Sequence, residues 1–87
     1  MTSNQTSDDS ADMGYLFDAR GVHRRFRHAA IFAALDALVP GERMCFVNDH
    51  DPLPLLDQIG QYFGDAVGAA YRQREPGAIV IEFEKMV

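Results

Sequence analysis

The sequence lacks the residues that several common classes of protein need. Its single cysteine, Cys45, excludes an internal disulfide and a cysteine-rich metal site. It has 8 Lys and Arg against 13 Asp and Glu, and this net charge of −5 excludes the basic surface typical of nucleic-acid-binding proteins. No stretch approaches the ~18 apolar residues that a membrane span requires. We therefore expect partners other than nucleic acid or membrane.

The beginning of the chain also lacks the basic and apolar segments of a secretory signal peptide, which favours a cytoplasmic location. Residues 1–13 are rich in Ser, Thr, Asn, Gln and Asp, a composition that buries too little apolar surface to fold. We expect a disordered acidic tail at 1–13 and a single domain at 14–87. Because so short a domain has little room for an enclosed active site, binding is favoured over catalysis. Both a monomer and a homodimer are open.

The hydrophobic pattern predicts the element order β-α-β-α-β-β. The apolar stripe from Ile31 to Leu38 has helical spacing, and Pro40-Gly41 ends that helix. Asp51 is expected to cap the second helix, because Pro52 disfavours helical geometry at the residue before it. The predicted strands are 15–17, 44–47, 67–74 and 78–84, and the predicted helices are 24–39 and 52–64.

This order predicts an α/β (α+β) two-layer sandwich, with a four-stranded mixed sheet and two helices on one face. The first strand, the first helix and the second strand form a βαβ unit, in which the two strands run parallel. Their carboxyl ends then face the same edge, so the loops 20–28 and 48–51 should emerge together. Ligands of open α/β sheets bind at such an edge. The functional residues are therefore expected in these two loops.

The first loop concentrates positive charge at the start of the first helix. Cations there oppose the helix dipole, at a typical cost of ~0.3–1 kcal/mol each when exposed. One interpretation is a site for an anion or an acidic partner. The other is that Asp18, Asp49 and Asp51 neutralise these arginines. The candidate residues for binding an anion or partner are Arg20, His23, Arg24, Arg25 and Arg27.

The second loop contains Asp49-His50-Asp51, which would face His28 of the first loop. Two imidazoles and one or two carboxylates can bind a divalent metal such as zinc or iron, with positions left open for water. The alternative is structural, with Asp51 capping the second helix and both histidines solvated or hydrogen-bonded. The candidate metal ligands are His28, Asp49, His50 and Asp51.

Cys45 is the only possible thiol nucleophile, and its position argues against that role. It lies in the apolar strand 44–47, where a thiol usually acts as an inert small hydrophobic side chain. We therefore expect Cys45 to be a buried structural residue.

Two parts of the sequence carry a family resemblance. The first runs through 17–22, 27–38 and 40–42, and the second is the motif Asn48-Asp49-His50-Asp51-Pro52-Leu53-Pro54-Leu55. Together they resemble a family of small bacterial proteins known as domain of unknown function 2249, over roughly Tyr15 to Phe83. That family is similar in plan to the TusA and SirA sulfur carriers, so the resemblance implies a TusA-like fold.

The resemblance also has functional implications. Sulfur carriers place a Cys-Pro-x-Pro motif at the start of their first helix, where this chain has Arg24 and Arg25. Sulfur relay by the usual route is therefore not implied. Members of the family are often joined to hemerythrin-like and other metal-associated domains, and by analogy this context favours a metal or redox link.

Together these features predict a small non-enzymatic binding or accessory module. Its ligand would be a divalent metal ion, or the metal site of a metalloprotein or redox partner, held at the edge formed by His28 and Asp49-His50-Asp51. The alternative is a protein-interaction or sulfur/redox-relay accessory. It would dock an acidic partner or an anion through the arginine-rich start of the first helix.

Overall fold

The computed structural model describes residues 14–87 and has the predicted order of helices and strands. The expected acidic tail at 1–13 lies outside the described residues. Neither helix of the described segment is long and apolar enough to cross a membrane. The elements are β1 (Tyr15–Asp18), α1 (Arg24–Ala37), β2 (Arg43–Asn48), α2 (Leu53–Phe63), β3 (Val67–Glu75) and β4 (Ala78–Lys85), with short 3₁₀ turns at Ala19–Gly21 and Gly64–Ala66.

The four strands form one mixed sheet in the order β1-β2-β4-β3. The pair β1–β2 is parallel, as the βαβ unit predicts, with Tyr15 opposite Met44 and Asp18 opposite Val47. The other two pairs, β2–β4 and β3–β4, are antiparallel. The predicted α+β two-layer fold is confirmed.

The core lies between one face of the sheet and the two helices. Alternate residues of β2 and β4 are buried, and the register places Phe46 beside Ile81 on the same face. Ile31 and Leu35 of α1 and Ile59 of α2 join the same buried cluster. Since a strand's side chains alternate between faces, both helices pack against the face that carries Phe46, and no helix of residues 14–87 covers the opposite face.

Cys45 belongs to that opposite face, so its predicted place in the core is wrong. It is only half-buried and lies opposite Glu82 of β4. The strand is apolar at each position from 44 to 47, but burial alternates along it because the helices cover only one face of the sheet. Partial burial, together with the charge of Glu82, raises the pKa of the Cys45 thiol. A raised pKa leaves less thiolate at neutral pH, so the residue is not an activated nucleophile.

The predicted helix cap at Asp51 is also wrong. The N-cap of α2 is Pro52, and no side chain accepts a hydrogen bond from its first turn. Asp51 instead accepts hydrogen bonds from the Tyr71 hydroxyl and from Arg74 Nε, the latter at 2.7 Å. These two contacts, with that of Tyr71 the stronger, hold the pKa of the Asp51 carboxyl below its usual value. Asp51 therefore ties the loop after β2 to strand β3.

The C-terminal end of α1 is held by Lys85, the last residue of β4. Lys85 Nζ donates to the carbonyl oxygens of Leu35 and Leu38, each at 2.9 Å. The helix ends at Ala37, not at Val39 as predicted, because Leu38 already has extended backbone geometry. A cation at this end complements the negative pole of the helix dipole. One side chain thus joins the last strand to the first helix.

Replacing Lys85 with Met should lower the free energy of unfolding by roughly 1–2 kcal/mol, because charged hydrogen bonds to the last helical carbonyls are lost. Urea unfolding measured at neutral pH tests this. The matched control is Glu84→Gln, since Glu84 is exposed and makes no ion pair or hydrogen bond through its side chain within residues 14–87. That control should stay within about 0.5 kcal/mol of wild type. Equal losses in both variants would contradict the assigned role of Lys85.

Replacing Asp51 with Asn should make stability less dependent on acid pH. Because the folded protein lowers the pKa of Asp51 below its usual 3.8, this carboxylate stabilises the fold above that pH, and its contribution is lost as the pH falls through the lower folded value. Urea unfolding should therefore show Asp51→Asn less stable than wild type at neutral pH, with the difference shrinking below about pH 4. The control is Asp57→Asn, which removes an exposed carboxyl of α2 that makes no hydrogen bond within residues 14–87 and should change the free energy of unfolding at neutral pH by less than about 0.5 kcal/mol. A pH-independent gap for Asp51→Asn would overturn this assignment.

Candidate functional site

A pocket opens at the edge of the sheet where β1 and β2 end, with a volume of about 340 Å³. Both helices begin here, since each follows one of the two parallel strands. This is the edge at which the sequence predicts a site. We call it the edge pocket; its lining residues are Arg24, Arg27, His28, Ile31, Phe46, Asn48, His50, Pro52, Pro54, Leu55 and Gln58.

Arg27 is the charged residue held most firmly at the edge pocket. Only 15% of its side chain is exposed. Its Nε donates to the Val22 carbonyl at 2.8 Å, and its Nη1 donates to Asn48 Oδ1 at 3.3 Å and reaches Asp49 Oδ1 at 3.5 Å. Within residues 14–87, no hydrogen bond uses Nη2. The guanidinium is therefore fixed in place, and its Nη2 can still donate hydrogen bonds to a ligand.

Arg24 and Arg25 differ from the other arginines of the cluster. Neither has a carboxylate partner among the described residues, and Arg25 only lies over the ring of Phe26 at 5.8 Å. Arg24 lines the edge pocket, whereas Arg25 does not. Arg20, by contrast, pairs with Asp18 at 2.8 Å. The start of α1 therefore carries two positive charges that no side chain of residues 14–87 neutralises.

The sequence also allows Asp18, Asp49 and Asp51 to neutralise the arginines at the start of α1, and this happens only in part. Asp18 neutralises Arg20, and Asp49 lies at a long 3.5 Å from Arg27. Asp51 pairs with Arg74 of β3 and so takes no part. Of the two arginines without a carboxylate partner among residues 14–87, Arg24 therefore borders the edge pocket and Arg25 lies outside it.

His50 is oriented by the residue before it. Its Nδ1 lies 2.6 Å from Asp49 Oδ1, and hydrogen bonding to His50, aided by the nearby charge of Arg27, lowers the pKa of the Asp49 carboxyl. A carboxylate on Nδ1 favours the tautomer with a proton on that nitrogen, which leaves Nε2 as the acceptor. Since His50 lines the edge pocket, Nε2 is the atom that can meet a ligand.

The other two histidines have different roles. His28 lines the edge pocket and stacks on Phe32, with the ring centroids 4.5 Å apart. His23 is the N-cap of α1, where its Nδ1 accepts a hydrogen bond from the backbone N–H of Arg25 at 3.1 Å. His23 does not line the edge pocket. One predicted histidine thus begins the helix, and the other two border the cavity.

The structure therefore brings together only part of the predicted site. Arg24, Arg27, His28 and His50 border one cavity, with Asp49 behind His50. Arg20, His23, Arg25 and Asp51 lie outside it. In the described segment, no group of three or more His, Cys, Asp and Glu side chains is placed to hold a metal ion. The four predicted ligands are not assembled as a set, because Asp51 is bound to β3 and Asp49 is shared by His50 and Arg27.

Asn48 is the site residue that sequence reasoning missed. It is buried, accepts a hydrogen bond from Arg27, and donates to the His50 carbonyl at 2.9 Å. A signal exists in the sequence: Asn48 follows Met44 and Phe46 at alternating positions, so a polar side chain points toward the core at the end of β2. A buried amide needs partners, and here it links the two loops.

Comparison with known proteins identifies a family but no characterised relative. The model of the family described as "Uncharacterized conserved protein (DUF2249)" matches residues 16–85. No curated protein and no solved structure matches the chain, so the likeness to the TusA and SirA sulfur carriers stays a prediction. The matched segment contains both helices and every residue of the edge pocket. The chain therefore belongs to the DUF2249 family.

Proposed function

We propose that this protein is a small binding module that holds an anion in the edge pocket. The observation that carries the proposal is Arg24, which borders a cavity without a carboxylate partner among residues 14–87. In a chain of net charge −5, carboxylates are abundant, and four other arginines pair closely with one: Arg20, Arg43, Arg72 and Arg74. An anionic ligand would supply the missing charge.

Two further features of the pocket favour an anion. Arg27 offers a fixed guanidinium whose Nη2 is unused within the described residues, and arginine binds carboxylate and oxyanion groups through paired hydrogen bonds. Helix α2 begins at the pocket without a side-chain cap; Pro54 has no N–H, so the backbone N–H groups of Leu53 and Leu55 are the ones that add positive potential there. Three sources of positive charge or potential thus converge on one cavity.

Transfer of sulfur through a cysteine of this chain has less support. Arg24 and Arg25 stand at the helix start, where the sulfur carriers have their reactive cysteine. Cys45 lies on the opposite face of the sheet, and its thiol has a raised pKa. An anion-binding role requires neither a cysteine at the start of α1 nor an activated thiol at Cys45.

Arg24→Gln should weaken the binding of a small anion by roughly fivefold at low salt, equivalent to about 1 kcal/mol for one charged hydrogen bond. Two-dimensional amide NMR of the full chain, titrated with sodium acetate, butyrate, phosphate and sulfate, measures this. Arg25→Gln is the matched control, because it removes the same charge one residue away but does not line the pocket. The shifts should map to the starts of α1 and α2, and added salt should weaken them.

Saturable binding that Arg24→Gln and Arg25→Gln weaken equally would contradict a specific pocket and indicate a diffuse effect of net charge. Absence of saturable shifts with all four anions would overturn the proposed function.

A second candidate is a contact with a divalent metal, either free or held by a metalloprotein or redox partner. The observation that favours it is the position of His28 and His50 on the same pocket, with Nε2 of His50 directed by the Asp49 hydrogen bond. Two nitrogen donors leave several positions of zinc or iron(II) open. A partner or a substrate would have to fill these positions.

Zinc titration of metal-stripped protein distinguishes this candidate. His28→Ala and His50→Ala should each weaken zinc binding by at least about tenfold if both rings ligate, as measured by calorimetry with amide NMR to locate the site. Cys45→Ala is the control for binding to the free thiol and should leave the affinity unchanged. Zinc affinity that depends on Cys45 alone would remove the metal candidate.

A further inference from the structure

We infer that the anion bound in the edge pocket is a carboxylic acid with a short apolar chain, and this inference rests on the proposed function. The pocket changes from cationic to apolar along α1. Arg24, Arg27 and Ile31 line it at intervals of three and four residues, so they share one stripe of the helix. From the first to the last, the helix rises by about 10 Å. A ligand along this stripe meets charge at one end and hydrocarbon at the other.

The wall opposite α1 has the same apolar character. It is formed by the rings of Pro52 and Pro54 and by the side chain of Leu55, with Gln58 as its one polar residue. The floor includes Phe46, whose ring is fully buried. No charged side chain lines the pocket on the α2 side. The apolar part of the pocket thus has two facing walls and a floor.

This combination favours a carboxylate over an inorganic oxyanion. Phosphate or sulfate would meet Arg24 and Arg27 but would leave the apolar surfaces of Pro54, which is exposed, and Leu55, which is half-buried, in contact with water. An aliphatic chain attached to the carboxylate would cover those surfaces, and each methylene group that leaves water improves binding. A volume of about 340 Å³ lies near the lower end for small-molecule sites. The geometry points to acids of roughly four to eight carbons.

The experiment compares unbranched acids of increasing length on the wild-type chain. Amide NMR titrations with acetate, butyrate and hexanoate at constant ionic strength should give affinities that rise by up to about fourfold per added methylene. Phosphate and sulfate should bind more weakly than hexanoate. Hexanol and hexylammonium carry the same chain without the negative charge, and both should fail to saturate the pocket.

The outcomes separate this inference from the proposed function. Binding of phosphate or sulfate as tightly as hexanoate, or equal binding of acetate and hexanoate, would overturn the carboxylic acid and leave the anion site standing. Equal binding of hexanol and hexanoate would overturn the inference, because the charge would then be irrelevant. Absence of binding by every anion would overturn both.

A pair of variants tests where the aliphatic part of the ligand lies in the pocket. Leu55→Ala should reduce the affinity for hexanoate several-fold while leaving that for acetate nearly unchanged, because it shortens only the apolar wall. Leu53→Ala is the matched control, since Leu53 lies in the same turn of α2, is 54% exposed and does not line the pocket. Amide spectra of both variants verify the fold. If Leu55→Ala does not alter how the affinity depends on the length of the acid, the proposed position of the aliphatic chain is overturned. The titrations of the wild-type protein use no variant, so their result does not depend on the stability of Leu55→Ala.

Discussion

The parallel pairing of β1 with β2 is the constraint on which the rest of the structure depends. This pairing places Asp18 opposite Val47, so the polypeptide leaves both strands at the same edge of the sheet. Each then enters a helix, and the starts of α1 and α2 come together above the end of β2. Residues separated by more than twenty positions, such as Arg27 and Asn48, become hydrogen-bonding neighbours. The edge pocket is therefore a consequence of strand direction, and its polarity is a consequence of which residues follow the two strands.

The distribution of charge gives this edge its character. An acidic chain has enough carboxylates to neutralise every arginine, and several carboxylates in and beside the sheet are used in that way. The close partners are Asp18 with Arg20, Asp51 with Arg74, and Glu82 with both Arg43 and Arg72. Arg24 and Arg25, at the helix start where cations are least favourable, have none among residues 14–87. Under the proposed function, an anion bound in the pocket that Arg24 borders would offset the unfavourable position of this charge.

The sequence predicts the elements well where the determining interactions are local. Pro76-Gly77 forms the turn between the predicted strands 67–74 and 78–84, since Gly77 accepts a positive φ of 79°, and Pro40-Gly41 separates α1 from β2 as expected. The errors concern residues whose partners are distant in sequence. Nothing near Asp51 indicates that Tyr71 and Arg74 will compete with the helix for its carboxylate. Likewise, Cys45 is partly exposed because both helices pack on the other face of the sheet. The sequence pattern within 44–47 does not indicate which face the helices cover.

The loop between β2 and α2 shows how these distant contacts shape the candidate site. Because Asp51 is held by β3, the start of α2 has no side-chain cap, and the N–H groups of Leu53 and Leu55 keep no side-chain acceptor among residues 14–87. Because Asp49 holds Nδ1 of His50, the other ring nitrogen is left for a ligand. Had Asp51 capped the helix, as its sequence context predicts, a carboxylate would occupy the position where the pocket now offers positive potential. The departure from the local rule at Asp51 therefore keeps a carboxylate away from the start of α2, as the proposed anion site would require.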